Sequence, residues 1–310
     1  MTINVLFAAN PDRWEMYDAP LRQAFEAAGL DATLGRDMPP GQVDYIVYSP
    51  KGTISDFTPY TRAKAVMNLW AGVESIVGNE SLTQPLTRMV DEGLSVGMAE
   101  WVTGHVMRHH LGLDLDVLRA PGDWRPRTPP LARNRPVTIL GLGQLGQAAA
   151  EMLRGIGFPV TGWSRTHKDV PGVTCLSGEA GLYDALSRAM IVVLLLPDTP
   201  ATRNILNPDS LARLPEGAVV LNPGRGTLID DDALLAALDL GQVSHATLDV
   251  FRQEPLPEDH PFWAHPRVTV TPHIAAETRP DTASQVIAEN IRRGEAGEPF
   301  LYLVDRDRGY

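Results

Sequence analysis

Short, almost wholly apolar runs recur along this chain, separated by amphipathic stretches long enough for a few helical turns. That alternation predicts βα units and parallel sheets buried on both faces. In the first part, residues 3–8, 45–48 and 65–69 read as strands, and helical spacing appears over 17–28 and 98–113. Residues 120–136 then carry Pro121, Pro126, Pro129, Pro130 and Pro136 with few apolar positions, so they form a connecting segment over the surface. A second series of strands follows at 137–140, 159–163, 191–195, 218–222, 245–250 and 267–271, with crossover helices over 145–156, 182–189 and 230–238. Strands and crossovers in that number are what a complete doubly wound dinucleotide fold requires. Ala283, Val286, Ile287, Asn290 and Ile291 give residues 281–293 a helical pattern that must also find a core.

Composition narrows the classes. With 310 residues the chain can hold two domains with proper cores. Its net charge of −11 argues against a nucleic-acid partner, which needs a basic face. No apolar run is long enough to span a bilayer and no signal peptide is evident at the start, so no membrane partner is expected and the cytoplasm is the expected location. The single cysteine, Cys175, cannot build an intrachain disulfide and has no motif around it; it reads as a structural bystander.

The first chemical signal is Gly141-Leu142-Gly143-Gln144-Leu145-Gly146, placed between a strand and a helix. Gly141 permits the tight turn, Gly143 lets backbone approach a pyrophosphate, and Gly146 lets helix and strand sit close. Free N–H groups at the helix start then meet the phosphate charge. The end of the next strand selects the cofactor. It runs Ser164-Arg165-Thr166-His167-Lys168 with no acid before Asp169. Hydroxyls at Ser164 and Thr166 and the planar fork of Arg165 suit a 2′-phosphate, so NADP is favoured, with NAD the alternative.

Three more segments fall at the ends of successive strands: Asn222-Pro223-Gly224-Arg225-Gly226, Gln253-Glu254-Pro255-Leu256-Pro257 and Thr271-Pro272-His273-Ile274-Ala275-Ala276. Ligands in open α/β sheets bind beyond the carboxyl ends of the strands. Each residue alone is as well explained as a surface arginine, a loop carboxylate or a capping histidine. Together they supply a cation for an anionic substrate and a carboxylate–histidine pair for a proton. With a hydride from a nicotinamide, these parts reduce a 2-keto acid. Arg225 would orient the carbonyl and stabilise negative charge. His273 would donate the proton, and a neighbouring Glu254 favours the charged ring.

The other histidines carry less. His105 and His109 lie one helical turn apart, but no third ligand or glutamate accompanies them, so a helix face or subunit contact is expected and no metal. His260 and His265 are expected to position the loop that holds them.

These motifs, with Ala71-Gly72-Val73-Glu74-Ser75-Ile76, Leu248-Asp249-Val250-Phe251 and the terminal 304–310, resemble the D-isomer-specific 2-hydroxyacid dehydrogenase family, most of all its glyoxylate/hydroxypyruvate reductase A branch. The resemblance runs from about Asp44 to the C-terminus. It implies two Rossmann-like α/β domains with doubly wound parallel sheets. A nucleotide domain, 99–276, is inserted into a discontinuous substrate domain made of 1–98 and 277–310. It also implies a homodimer to which 98–136 contributes.

By the same resemblance the amides of Ala71, Gly72 and Val73 receive a substrate carboxylate. Asp249 holds the nicotinamide carboxamide. Leu196, Pro197, Thr202, Asn222, Pro223, Gly224 and His273 line the cofactor. Two departures concern the substrate. Trp70 stands where relatives carry a small residue, and 48–52 lacks their tryptophan. If the indole faces the pocket it narrows it; in the core it changes nothing. The expected activity is NAD(P)H-dependent reduction of glyoxylate to glycolate and hydroxypyruvate to D-glycerate. Two alternatives stay open: a nucleotide-binding corepressor-like or regulatory protein on the same fold, and an NAD-dependent dehydrogenase of a bulkier D-2-hydroxy acid.

Overall fold

A computed structural model describes residues 2–309. In chain order the strands are β1 (Ile3–Ala8), β2 (Ala32–Gly35), β3 (Tyr45–Tyr48), β4 (Ala65–Asn68), β5 (Leu86–Thr87), β6 (Val137–Leu140), β7 (Val160–Ser164), β8 (Thr174–Ser177), β9 (Ile191–Leu194), β10 (Ala218–Asn222), β11 (Val243–Leu248) and β12 (Val268–Val270). The α-helices are α1 (Trp14–Ala27), α2 (Glu92–Leu111), α3 (Asp114–Val117), α4 (Gln144–Ile156), α5 (Gly178–Ser187), α6 (Pro208–Leu211), α7 (Asp231–Asp239), α8 (Pro261–Ala264) and α9 (Pro280–Ala296). The chain forms two compact units, 1–94 with 277–310, and 95–276.

In the first unit a parallel sheet runs β2-β1-β3-β4-β5. One face is covered by Tyr17, Leu21 and Phe25 of α1 with Ala283, Ile287 and Ile291 of α9, which is where the C-terminal helical pattern finds its core. The other face has no helix in its core. Loop residues Ile54, Phe57, Val73, Ile76 and Leu82, with Val304, fill that place.

In the second unit seven parallel strands run β12-β11-β10-β9-β6-β7-β8. Strand order reverses between β6 and β9, the point at which doubly wound folds bind nucleotides. Met98, Val102 and Val106 of α2 and Ala149, Ala150 and Leu153 of α4 cover one face. Leu186 of α5, Leu211 of α6, Leu234 and Leu238 of α7 and Phe262 of α8 cover the other. Burial on both sides explains why β6, β9 and β10 are uninterrupted apolar runs in sequence.

Three strands lie outside the sequence pattern: β2, β5 and β8. Each is short and at or next to a sheet edge, and β2 and β8 keep exposed positions, so no apolar run marks them. The helix expected from 98 starts at Glu92 instead. Its first turn contains Gly93, which sequence logic treats as a breaker. A Cβ there would lie 2.3 Å from Cγ of Arg279, so the glycine serves a close approach to the residue preceding α9.

The glycine turn is equally tight. Gly141 has φ of +112°, and a Cβ on it would sit 2.3 Å from the Leu195 carbonyl oxygen at the end of β9. A Cβ on Gly146 would lie 1.8 Å from the Gly141 carbonyl oxygen. Gly146→Ala therefore forces α4 away from β6. It is expected to cost about 1–3 kcal/mol, the scale of overpacking, read as a lower Tm than that of wild type.

Candidate active site

The loops after β10, β11 and β12 are tied down by contacts to backbone, and the side chains with chemistry project from those ties. After β10, Asn222 is 1% exposed and closes its own turn: Oδ1 accepts the Gly224 N–H at 3.1 Å, and Nδ2 donates to the Arg225 carbonyl at 2.9 Å. The glycines flanking Arg225 have a reason beyond freedom of the chain. A Cβ on Gly224 would meet the Leu194 carbonyl oxygen at 2.7 Å, and one on Gly226 the Phe251 carbonyl carbon at 2.0 Å. The Arg225 loop is thus pressed against the ends of β9 and β11. Arg225 is half-buried, and its Nη1 donates to the Gly224 carbonyl at 2.7 Å.

After β11, Glu254 accepts the Phe251 N–H on Oε1 at 2.9 Å, which leaves Oε2 for the Nδ1 atom of His273 at 2.7 Å. Sequence places these two residues 19 positions apart; the fold makes them one unit. His273 is exposed and carries φ of +54°, a left-handed backbone that costs a residue with a Cβ. The surrounding hydrogen bonds hold it there. Its N–H donates to the Asp249 carbonyl at 2.9 Å. The Asp249 carboxylate, fully buried, accepts Thr271 Oγ1 at 2.5 Å and the Ile274 N–H at 2.9 Å on Oδ1, and the Ala275 N–H at 2.9 Å on Oδ2. A buried carboxylate is tolerable only with such partners. Asp249 therefore anchors the histidine loop, a role the sequence did not reveal because its donors are mostly backbone amides 22 to 26 residues away.

The dinucleotide end is more open. Gly143 precedes α4 with no side chain capping the helix, and a Cβ on it would meet nothing within 4 Å. Its own packing does not demand glycine, whereas a closely approaching ligand does. That observation fits a pyrophosphate on the exposed segment Gly143-Gln144. Beyond β7, the Ser164 hydroxyl donates to the Thr166 carbonyl at 2.8 Å, while Arg165 and Thr166 are exposed. One cation escaped the sequence reading: Lys168 Nζ reaches back to the Leu142 carbonyl at 2.8 Å, inside the glycine turn. Its only sequence signal was a positive charge one turn past the strand. Leu196 is buried and Thr202 closes the next loop, its Oγ1 donating to the Pro197 carbonyl at 2.6 Å.

In the first unit, the buried Asn68 at the end of β4 donates through Nδ2 to the carbonyls of Trp70 (2.9 Å) and Gly72 (2.8 Å). The carbonyls are held, and no acceptor among the described residues faces the amides of Ala71, Gly72 and Val73. Trp70 is 39% exposed and so is not a core residue. His260 and His265 behave as loop supports: His260 Nδ1 accepts the Phe262 N–H and His265 Nδ1 the Arg267 N–H. Cys175 lies on β8 and is partly buried.

A parallel sheet that reverses at a glycine turn, with a carboxylate–histidine pair and an arginine beyond its strand ends, defines a nicotinamide-dependent oxidoreductase. The chain belongs to the D-isomer-specific 2-hydroxyacid dehydrogenase family, whose NAD-binding domain matches residues 105–275. It is 42% identical over 257 residues to glyoxylate/hydroxypyruvate reductase A of Salmonella newport, covering 80% of this chain and 82% of that one. Among solved structures it resembles a D-isomer-specific 2-hydroxyacid dehydrogenase of Xanthobacter autotrophicus in complex with NADPH and MES, with 40% identity, a TM-score of 0.91 and full coverage of both chains. It is also similar to an NADPH-dependent glyoxylate/hydroxypyruvate reductase of Sinorhizobium meliloti in complex with NADP and sulfate, with 34% identity, a TM-score of 0.86 and coverage of 100% and 99%.

Asp249→Asn keeps the volume but replaces one acceptor oxygen with a donor that faces an N–H or hydroxyl. Each charge-assisted bond lost is worth about 1.5–3 kcal/mol. The variant is expected to show a lower Tm and a lower kcat together, since the His273 backbone relaxes. An unchanged kcat in a destabilised variant would separate the loop from the chemistry.

Proposed function

We propose that this chain reduces small 2-keto acids with NADPH, glyoxylate to glycolate and hydroxypyruvate to D-glycerate. The observation that carries the reading is the 2.7 Å contact between Glu254 and His273 at the ends of two parallel strands, in a chain of this family. The relatives' names and their NADPH or NADP complexes support the substrate class and the cofactor.

When bound, the nicotinamide supplies the hydride. Glu254, fixed through one oxygen by the Phe251 amide, holds the His273 ring by Nδ1. His273 then presents Nε2 to the carbonyl oxygen and gives it the proton as the alkoxide forms. Arg225 orients the keto acid and stabilises the developing negative charge. The free amides of Ala71, Gly72 and Val73 take the substrate carboxylate. Gly141, Gly143, Gln144, Leu145 and Gly146 receive the pyrophosphate, with Leu196, Pro197, Thr202, Asn222, Pro223 and Gly224 along the cofactor. Arg165, with Ser164, Thr166 and the nearby Lys168, takes the 2′-phosphate.

We further read the protein as a cytoplasmic homodimer with no nucleic-acid or membrane partner. Leu115, Val117, Leu118 and Trp124 are 65%, 78%, 83% and 92% exposed in one contiguous segment, which is apolar surface that a second copy would cover. No helix among the described residues is long and apolar enough to cross a membrane.

The deciding assay measures initial rates on glyoxylate, hydroxypyruvate, pyruvate and phenylpyruvate, each with NADPH and NADH. Turnover of the two small substrates with NADPH is expected; absence of turnover favours a regulatory protein, and NADH-driven turnover of phenylpyruvate a different dehydrogenase. Arg165→Ala is expected to cost about 1–3 kcal/mol in kcat/KM with NADPH and little with NADH. His273→Ala should lower kcat by about 10²–10⁴-fold, the usual weight of a general acid, while NADPH still binds. Trp70→Gly should improve phenylpyruvate relative to glyoxylate; an unchanged ranking would remove the indole from the specificity argument.

A further inference from the structure

Away from these residues, the second unit gathers three side chains to which the reductase reading gives no task. His109 lies in the last turn of α2, Asp114 opens α3, and His245 lies on β11. One donor atom from each falls within 4.8 Å of the other two. We propose that His109, Asp114 and His245 bind a divalent transition-metal ion, zinc being the expected occupant, which clamps the end of α2 to β11.

The surroundings of the two imidazoles carry the argument. Nε2 of His109 meets Thr247 Oγ1 at 2.9 Å, and Nε2 of His245 meets Thr269 Oγ1 at 2.9 Å. Ligating histidines characteristically have their second nitrogen held by an oxygen, which fixes the ring and its tautomer. The rings pack at 4.7 Å between centroids, each engaged through Nε2. A metal needs the neutral ring. Burial supplies it, pushing His109 down to about 3 and His245 to about 4, with the charges of His245 and Arg108 adding to the effect at His109 and that of Arg108 at His245.

Asp114 is held in place as well, with both oxygens accepting from Arg108 Nε at 2.8 and 3.0 Å. That guanidinium shares the carboxylate with the ion and weakens the affinity without using all its lone pairs. Bonds of about 2.0–2.2 Å require the donors to draw in, which the side-chain torsions of a residue on the one-turn α3 allow. Two imidazoles and one carboxylate suit zinc, nickel, cobalt or copper rather than magnesium or calcium. Three protein ligands leave a fourth position for water. His105 faces the same cluster but packs on Trp101 at 4.3 Å between ring centroids, so it is not assigned as a ligand. The sequence could not show the set, because His245 lies 136 positions beyond His109.

The test uses the full chain, freed of metal by dialysis against a chelator and then titrated with zinc chloride and, separately, cobalt chloride. Expected are one ion per chain by equilibrium dialysis, visible cobalt absorption of a distorted tetrahedral site, and a zinc-dependent rise in Tm. His109→Gln and His245→Gln, with circular dichroism and NADPH binding as folding checks, should each lose at least about tenfold in affinity, the scale on which even supporting residues act. Equal zinc affinity in wild type and both variants, or no zinc binding to wild type, overturns the site. A measurement without substitution covers variants that fail to fold: diethylpyrocarbonate labelling of wild type, mapped by mass spectrometry. Zinc should protect His109 and His245 selectively; equal labelling with and without zinc overturns the proposal.

Discussion

A single buried carboxylate holds the chemistry in place. Asp249 has no exposure, and its charge is stable in the interior because the backbone of the loop after β12 and the Thr271 hydroxyl donate to it. Those donors cannot be satisfied unless the chain turns sharply at His273, which adopts φ of +54°. Strain at one residue is thus offset by three hydrogen bonds to an ion. The turn presents the His273 ring to Glu254, whose other oxygen is already committed to the Phe251 amide. The exposed Glu254–His273 pair therefore inherits its geometry from a side chain that no solvent reaches.

The same logic of close backbone contact governs the other strand ends. Gly141 against Leu195, Gly224 against Leu194 and Gly226 against Phe251 bring four neighbouring strand termini into contact. Any Cβ at these positions would separate them and move Arg225 relative to the Glu254–His273 unit. Gly143 differs: its missing side chain faces open space, so its absence makes room for something outside the chain. Glycines that let backbone meet backbone and one that faces open space share a six-residue segment.

Much of this was legible beforehand because parallel strands buried on both faces are apolar throughout. β6, β9 and β10 stood out for that reason, and the glycine turn and Arg225 followed from their positions after such strands, whereas His273 follows the short edge strand β12. What escaped detection was short, peripheral or built by tertiary contact. β8 is half-exposed at a sheet edge and carries no periodic signal. The start of α2 was obscured by Gly93, whose purpose appears only when Arg279 is packed on it. The anchoring role of Asp249 depends on amides, which have no sequence identity at all.

Histidines show most clearly why residue type alone underdetermines function. His273 is exposed, and a carboxylate lies on its Nδ1. His109 and His245 are half-buried against the β11 face, where their oxygen partners are neutral hydroxyls and the nearest full cation is Arg108. Desolvation and like charge both oppose protonation there, and a ring nitrogen that stays neutral offers its lone pair instead. The two arrangements differ, although all three residues stand on or beside the same seven-stranded sheet. Their partners differ too: a carboxylate for His273, a hydroxyl for the other two.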